Sequence, residues 1–289
     1  ALCTTNLPTP TIADGSDYFD AALYTGNGTT GQSITGLEFS PDLLFIKERS
    51  STGSPMVFDI IRGTGKALQT RADTAEYSIA ETVTSFDSNG FGVDYDGVSS
   101  SIVTNRSSQT YVAWSWDGGS STVSNTDGSI TSSVRANQTA GFSIVTYTGN
   151  GTNGASVGHG LNTAPNMIWV KNRTDAGEDW TVYHESIGNN KILILNKDEG
   201  KNPGQWNNAS PTSSVFTVSS LGDVNGSGKS MVAYCFSAVK GYSAIGEYAG
   251  NGIAGDGTLV PLDFAPAFVM VKRHDGDGNW TIWDSKRPG

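Results

Sequence analysis

Three stretches of this chain carry glycines at the spacing G-x-G-x-x-G: Gly26/Gly28/Gly31, Gly149/Gly151/Gly154 and Gly250/Gly252/Gly255. That spacing cradles a dinucleotide pyrophosphate when a helix follows at once inside a βαβ unit. Strand and loop sequence follows here instead, with a proline ahead of the next apolar run. The favoured reading is turns in which Asn-Gly pairs supply left-handed backbone. DVNGSGKS (Asp223 to Ser230) is close to a phosphate loop, with Asp223 where the first glycine belongs. A carboxylate there opposes the phosphates the loop must hold, and an apolar strand, MVAYCF, follows in place of a helix.

Other reactive residue types are scattered. The histidines are His159, His184 and His274. No H-x-x-x-H, CxxC or G-x-S-x-G spacing joins them to a partner, and polar surface positions are expected. Asp275, Asp277 and Asn279 alternate as calcium ligands do, but the loop lacks the closing glutamate, so an Asp-Gly turn is preferred. Asp59, Asp284, Glu185 and Asp179 are the carboxylates nearest repeated strands. A glycosidase would need a pair about 5–10 Å apart, and none of the four recurs in every copy of the repeat described below. Trp180, Trp280, Tyr183 and Trp283 are the candidate sugar-stacking residues, with core packing as the competing role. Lys47, Lys171 and Lys272 end matching strands, where solvation of the ammonium is expected. Eight N-x-S/T triplets, Asn27, Asn137 and Asn208 among them, are close to chance in so Ser/Thr-rich a chain. No catalytic, cofactor-binding or metal residue is assigned.

The elements that hold these residues are repeated. YTGNG (Tyr24 to Gly28), YTGNG (Tyr147 to Gly151) and YAGNG (Tyr248 to Gly252) begin 123 and then 101 residues apart. Each is followed by a proline and an apolar run ending in lysine: PDLLFIK (Pro41 to Lys47), PNMIWVK (Pro165 to Lys171) and PAFVMVK (Pro266 to Lys272). A polar turn then leads to MVFD (Met56 to Asp59), TVYH (Thr181 to His184) or TIWD (Thr281 to Asp284). These are hairpins of short strands, and LLFIK and MIWVK are continuous apolar runs, as expected of strands buried on both faces. Two copies continue to TYVAWSW (Thr110 to Trp116) and SMVAYCF (Ser230 to Phe236), and the third stops before that strand. With Ala1 rather than Met at the start, this suggests a piece of a longer protein. The best helical stretch, Thr64 to Glu81, is weak.

The spacing suits whole small domains. The expected fold is all-β, a tandem array of antiparallel β-sandwich modules. Residues 1–15 read as a linker or the tail of a preceding domain, 16–119 as repeat 1, 120–140 as a polar linker, 141–240 as repeat 2 and 241–289 as the start of repeat 3. Charged residues make up 16% and aromatics 10%, which does not fit disorder. A net charge of −10 with no cluster of Lys or Arg argues against nucleic-acid binding and anionic membranes. No apolar run approaches the ~18 residues of a membrane span. Cys3 and Cys235 lie in unrelated segments and are not expected to pair.

The blocks DYFDAALYTGNG, SPDLLFIKERS, NTDGSI, GFSIVTYTGNG, VGHGL, APNMIWVKNR, VNGSGKSMVAYCF and IWDSKRPG together resemble a repeated module of bacteriophage virion proteins, common in tail-fibre and appendage proteins of marine phages. LCTTNLPTPTI resembles the end of a SPRY-like domain that often precedes that module. The resemblance implies lectin- or jelly-roll-like sandwiches and a place in the virion, on tail or capsid. It further implies other virion proteins as partners, a host cell-surface glycan as ligand and a homo-oligomer, expected to be a trimer. No cofactor comes with it. A virion-associated polysaccharide depolymerase and a purely structural capsid or tail decoration are the alternatives.

Overall fold

The computed structural model of the protein describes residues 11–95 and 103–287. Most of the N-terminal segment, including Cys3, lies outside the described residues. The chain is all-β, in antiparallel sheets.

Repeat 1 begins with β1 (Phe19–Thr25), β2 (Gln32–Thr35), β3 (Leu43–Glu48), β4 (Met56–Asp59) and β5 (Lys66–Gln69). It continues with β6 (Tyr77–Ser78), β7 (Val83–Asp87), β8 (Gly90–Val93) and β9 (Thr110–Trp116). Strands β1-β9-β3-β4-β5-β6 form the larger sheet, and β2-β8-β7 the smaller. The stretch with the best helical propensity forms β5 and β6, because β4 offers Lys66–Gln69 a ladder partner and tertiary pairing overrides weak propensity. Leu44, Ile46, Met56, Phe58, Tyr111 and Ala113 of the large sheet meet Ile34, Phe91 and Val93 of the small sheet in a closed core.

Repeat 2 follows the same plan with an addition. The segment expected as a linker forms a hairpin, β10 (Thr122–Asn125) and β11 (Ser132–Asn137), which adds to the edge of β12 (Phe142–Thr148). Arg135 of β11 reaches back to Asp42 of repeat 1 at 2.8 Å. Burial pushes the Asp42 carboxyl up to about 6 in spite of that partner. Next come β13 (Ala155–Gly158), β14 (Met167–Asn172), β15 (Thr181–His184), β16 (Lys191–Ile194), β17 (Asn202–Pro203), β18 (Val215–Val218) and β19 (Ser230–Phe236). Strands β10-β11-β12-β19-β14-β15-β16-β17 make one sheet, and β13-β18 faces it across a second core holding Ile168, Val170, Tyr183, Trp206 and Phe216.

Repeat 3 supplies the hairpin β20 (Phe268–Val271) and β21 (Thr281–Asp284). Its opening stretch, Tyr242 to Ala249, aligns with β1 and β12 but forms no ladder there. The pairing explains this: β1 is bonded to β9 and β12 to β19, and among the described residues no closing strand stands beside the third stretch.

The larger sheets have a second buried face. Along β3, β14 and β20 the side chains alternate. Leu44, Ile46, Ile168 and Val170 point into their own sandwich. Leu43, Phe45, Met167, Trp169, Phe268 and Met270 point the other way, into a single core shared by all three repeats. The expectation of burial on both faces holds for β3 and β14, whereas β20 is covered on its shared-core face and leaves Val269 36% exposed on the other; the shared-core face is an interface between modules.

Candidate functional site

The shared core is ringed by polar nodes, and they occupy equivalent positions. In repeat 1, Asp59 ends β4, accepts from the Arg62 amide and guanidinium, and also accepts from the Tyr234 hydroxyl of repeat 2 at 2.7 Å. In repeat 3, Asp284 ends β21, accepts from the Arg287 amide and guanidinium, and accepts from the Trp114 indole of repeat 1 at 2.9 Å. Tyr234 and Trp114 hold the same position on their closing strands. Burial alone would raise the Asp284 carboxyl, but the bonds from Trp114 and Arg287 hold it below the ordinary value. Arg62 also bonds the Val57 carbonyl and Glu76, leaving its charge fully partnered inside the protein.

A second set of contacts repeats in the same sense. The Trp180 indole of repeat 2 donates to the Gln69 carbonyl of repeat 1 at 2.8 Å, and the Trp280 indole of repeat 3 donates to the Ile194 carbonyl of repeat 2 at 2.9 Å. Gln69 and Ile194 both end the fifth strand of their module. The Glu76 amide bonds the Arg173 carbonyl at 2.9 Å, as the Lys201 amide bonds the His274 carbonyl at 3.0 Å. The Gly177 amide bonds the Asp73 carbonyl at 2.9 Å, as the Gly278 amide bonds the Asp198 carbonyl at 2.8 Å. Repeat 2 thus leans on repeat 1, repeat 3 on repeat 2, and repeat 1, through Trp114, on repeat 3. That cyclic order is a threefold arrangement built within one chain.

The aromatic candidates divide accordingly. Trp180 is wholly buried and Tyr183 is 4% exposed, so neither ring presents a face to a sugar. Trp280 is partly buried against the shared core. Trp283 is 54% exposed, although it aligns with the buried Phe58 and Tyr183. It lies in an open apolar groove with Tyr248, Ile253, Val260, Val269 and Val271. This is the inner face of the third hairpin.

The glycine triplets form turns. Gly28, Gly151 and Gly252 have φ of 69, 68 and 69°, a region costly for residues with a Cβ. The preceding Asn27, Asn150 and Asn251 side chains cap the turn by accepting from Thr29, Thr152 and Ile253 amides. Two residues unremarked in the sequence lock the first two turns. Buried Asn105 accepts from the Asn27 amide and donates to the Asn27 side chain and the Thr29 carbonyl. Buried Asn225 does the same with Asn150 and Thr152. The signal was present: each asparagine stands five residues before its closing strand. Both also belong to N-x-S triplets, and their complete burial leaves no room there for a glycan.

The phosphate-loop-like segment is a single helical turn, Gly222–Asn225, followed by β19. Asp223 accepts from the Asp179 amide and the Gln205 side chain, and Lys229 pairs with Asp175. Burial and then the Asp223 carboxyl push Glu178 up to about 7. Lys171, expected in solvent, is wholly buried, donates to the Glu178 carbonyl at 2.7 Å, and is pushed down to about 8 by burial. His159, expected at the surface, is also buried, between the Thr212 carbonyl and the Leu161 amide. His184 accepts the Ser186 amide at Nδ1, and His274 meets Glu247 at 3.2 Å. Glu185 accepts from Asn166, and Asp179 pairs with Lys197. Asp275 bonds Arg273 rather than standing open as a cation ligand. Among the described residues no group of three or more His, Cys, Asp or Glu could hold a metal, and no helix is long and apolar enough to cross a membrane. Cys235 is a buried thiol.

No curated protein and no solved structure matches the chain. A family model described as a domain of unknown function, DUF7483, matches residues 14–289, running through all three repeats, and the chain belongs to that family.

Proposed function

We propose that the chain is a non-catalytic structural part of a phage virion appendage that contributes to attachment at the host surface. One observation supports this reading above others. The repeated polar and aromatic residues bond one module to the next, as Asp59 with Tyr234 and Asp284 with Trp114. Residues so engaged stiffen a multi-module block and are not free to bind and release a substrate. The resemblance of the repeat to tail-fibre and appendage modules points the same way. Trp283, open on the groove of the third hairpin, is the aromatic best placed to stack on a glycan.

Immunogold labelling of purified particles tests the proposal. Label on tails or capsids is expected, and protein confined to the infected-cell cytoplasm would overturn it. A trimer of the chain belongs to the same proposal and rests on the resemblance; the native mass of the intact protein checks it. Release of reducing sugar from host capsular or lipopolysaccharide material by the purified protein would replace attachment with depolymerisation.

A further inference from the structure

The loop by which repeat 2 grips repeat 1 carries an uncompensated pair of carboxyl groups. Between β14 and β15, the Arg173 carbonyl accepts the Glu76 amide at 2.9 Å. The Arg173 guanidinium bonds the Glu76 carboxylate through two nitrogens, each at 2.9 Å, and the Gly177 amide donates to the Asp73 carbonyl at 2.9 Å. Glu178 comes next in the chain and turns back onto repeat 2. Its carboxyl lies against Gly222, where an added Cβ would stand 2.3 Å from Oε1, and is in hydrogen-bonding contact with the Asp223 side chain. Two ionised carboxylates have no proton to put between them, so that contact needs one of the pair to be neutral.

The groups that face Glu178 decide how the pair responds to pH. Asp175, on the same loop, is paired with Lys229 at 2.8 Å, and Asp179 with Lys197 at 2.7 Å. Asp223, on the helical turn, accepts instead from uncharged groups, the Asp179 amide and the Gln205 side chain. Lys171, on β14, is the cation beside the pair. Its ammonium donates to the Glu178 main-chain carbonyl at 2.7 Å rather than to the carboxyl, and its charge also faces Asp73 of repeat 1 and Asp179. Burial and Asp223 together outweigh Lys171, and the Glu178 carboxyl stands at about 7.

We propose that Glu178 and Asp223 form a proton-dependent clasp on the joint between repeats 1 and 2. With its proton, Glu178 donates to the Asp223 carboxylate and holds its loop down, which keeps the Gly177 amide on the Asp73 carbonyl. Loss of the proton leaves two carboxylates in contact. The Glu178 side chain then swings to water, and the Gly177 bond to Asp73 opens with it. Trp180 on Gln69 and Tyr234 on Asp59 are anchored elsewhere, so the modules stay joined and the change is confined to this contact. The joint between repeats 2 and 3 has the same main-chain bond without the clasp: the Gly278 amide donates to the Asp198 carbonyl at 2.8 Å, and the residue that follows is Asn279, which does not titrate.

Hydrogen exchange of the intact chain, read by NMR from pH 6 to 8, tests the proposal as the protection of the Gly177 amide divided by that of Gly278. A carboxyl that releases its proton at about 7 when clasped and at 4.5 when free should make the ratio fall about tenfold across that range. The Asp179 amide, bonded to Asp223, should follow Gly177. Glu178→Gln keeps a donor for Asp223 at every pH and should hold the ratio constant. Gly222→Ala leaves every charge in place, fills the seat of the carboxyl, and should give low Gly177 protection at every pH. A ratio that does not change with pH in the wild-type chain overturns the proposal. So does a fall that persists in Glu178→Gln, which would put the titrating group elsewhere. Carbon-13 titration of the Glu178 carboxyl in the wild-type chain checks the assignment without a substitution. A midpoint near the ordinary 4.5 would overturn it as well.

Discussion

Tyr183 and Trp283 hold the same place on the same hairpin, one step of the repeat apart, yet one is 4% and the other 54% exposed. Both hairpins read alike in sequence, pair alike, and pack one face into the shared core. They differ in what covers the second face. Repeat 2 has β13, β18 and β19 around its hairpin, whereas β20 and β21 carry an open groove. A two-stranded hairpin is marginal by itself in water. Here it is held by repeats 1 and 2 through Trp280, Asp284 and the paired amides at Lys201 and Gly278. The same strand pattern can thus be made a core or a surface by its neighbours.

The largest test of that contrast removes the module-joining side chains. Trp180→Ala deletes a wholly buried indole and its bond to Gln69, and should cost about 3–5 kcal/mol in urea unfolding. Asp59→Ala leaves the buried Arg62 charge and the Tyr234 hydroxyl short of a partner, and a loss of about 3–5 kcal/mol is expected by the same measurement. Because repeats 1 and 2 share a core, calorimetry should show them melting in one transition. Two well-separated peaks in the wild-type protein would mean the shared core is not what couples them.

Asn225→Ala should cost about 1–3 kcal/mol, since the Asn150 amide and Thr152 carbonyl lose their buried partner. Amide exchange localised to residues 149–154 would check that the turn itself loosens. Trp283→Ala, by contrast with Trp180→Ala, should shift stability by no more than about 0.5 kcal/mol. A loss comparable to Trp180→Ala would show that the groove is closed in solution.

A subtler comparison uses pH. Glu178 holds its proton up to about 7 in the folded protein against 4.5 ordinarily. The folded state then binds more protons than the unfolded state between those values, so this group's contribution falls as pH rises from 4.5 to about 7. Lys171 acts oppositely: pushed from 10.5 down to about 8, it adds stability as pH rises from about 8 to 10.5. Glu178→Gln should flatten only the lower window of midpoint against pH. An unchanged slope between pH 4.5 and 7 would dismiss the effect.

Strand alternation, turn glycines and the three copies determined much of this protein from sequence alone. MVFD, TVYH, TIWD, TYVAWSW and SMVAYCF are strands at the bounds their patterns suggest, because a strand flanked by turn residues is fixed locally. What the sequence left open was which face of each strand meets what. Alternation shows that Trp180 and Lys171 lie on strands or beside them, but not that another module covers them. The polar segment 120–140 reads as a linker until β12 offers it an edge and Asp42 offers Arg135 a charge. Asn105 and Asn225 resemble ordinary surface polar residues until the turns they lock are folded over them. Burial, and with it the chemistry left to each residue, depends on contacts between residues roughly a hundred apart. Only the closure of the three repeats around one core decided those contacts.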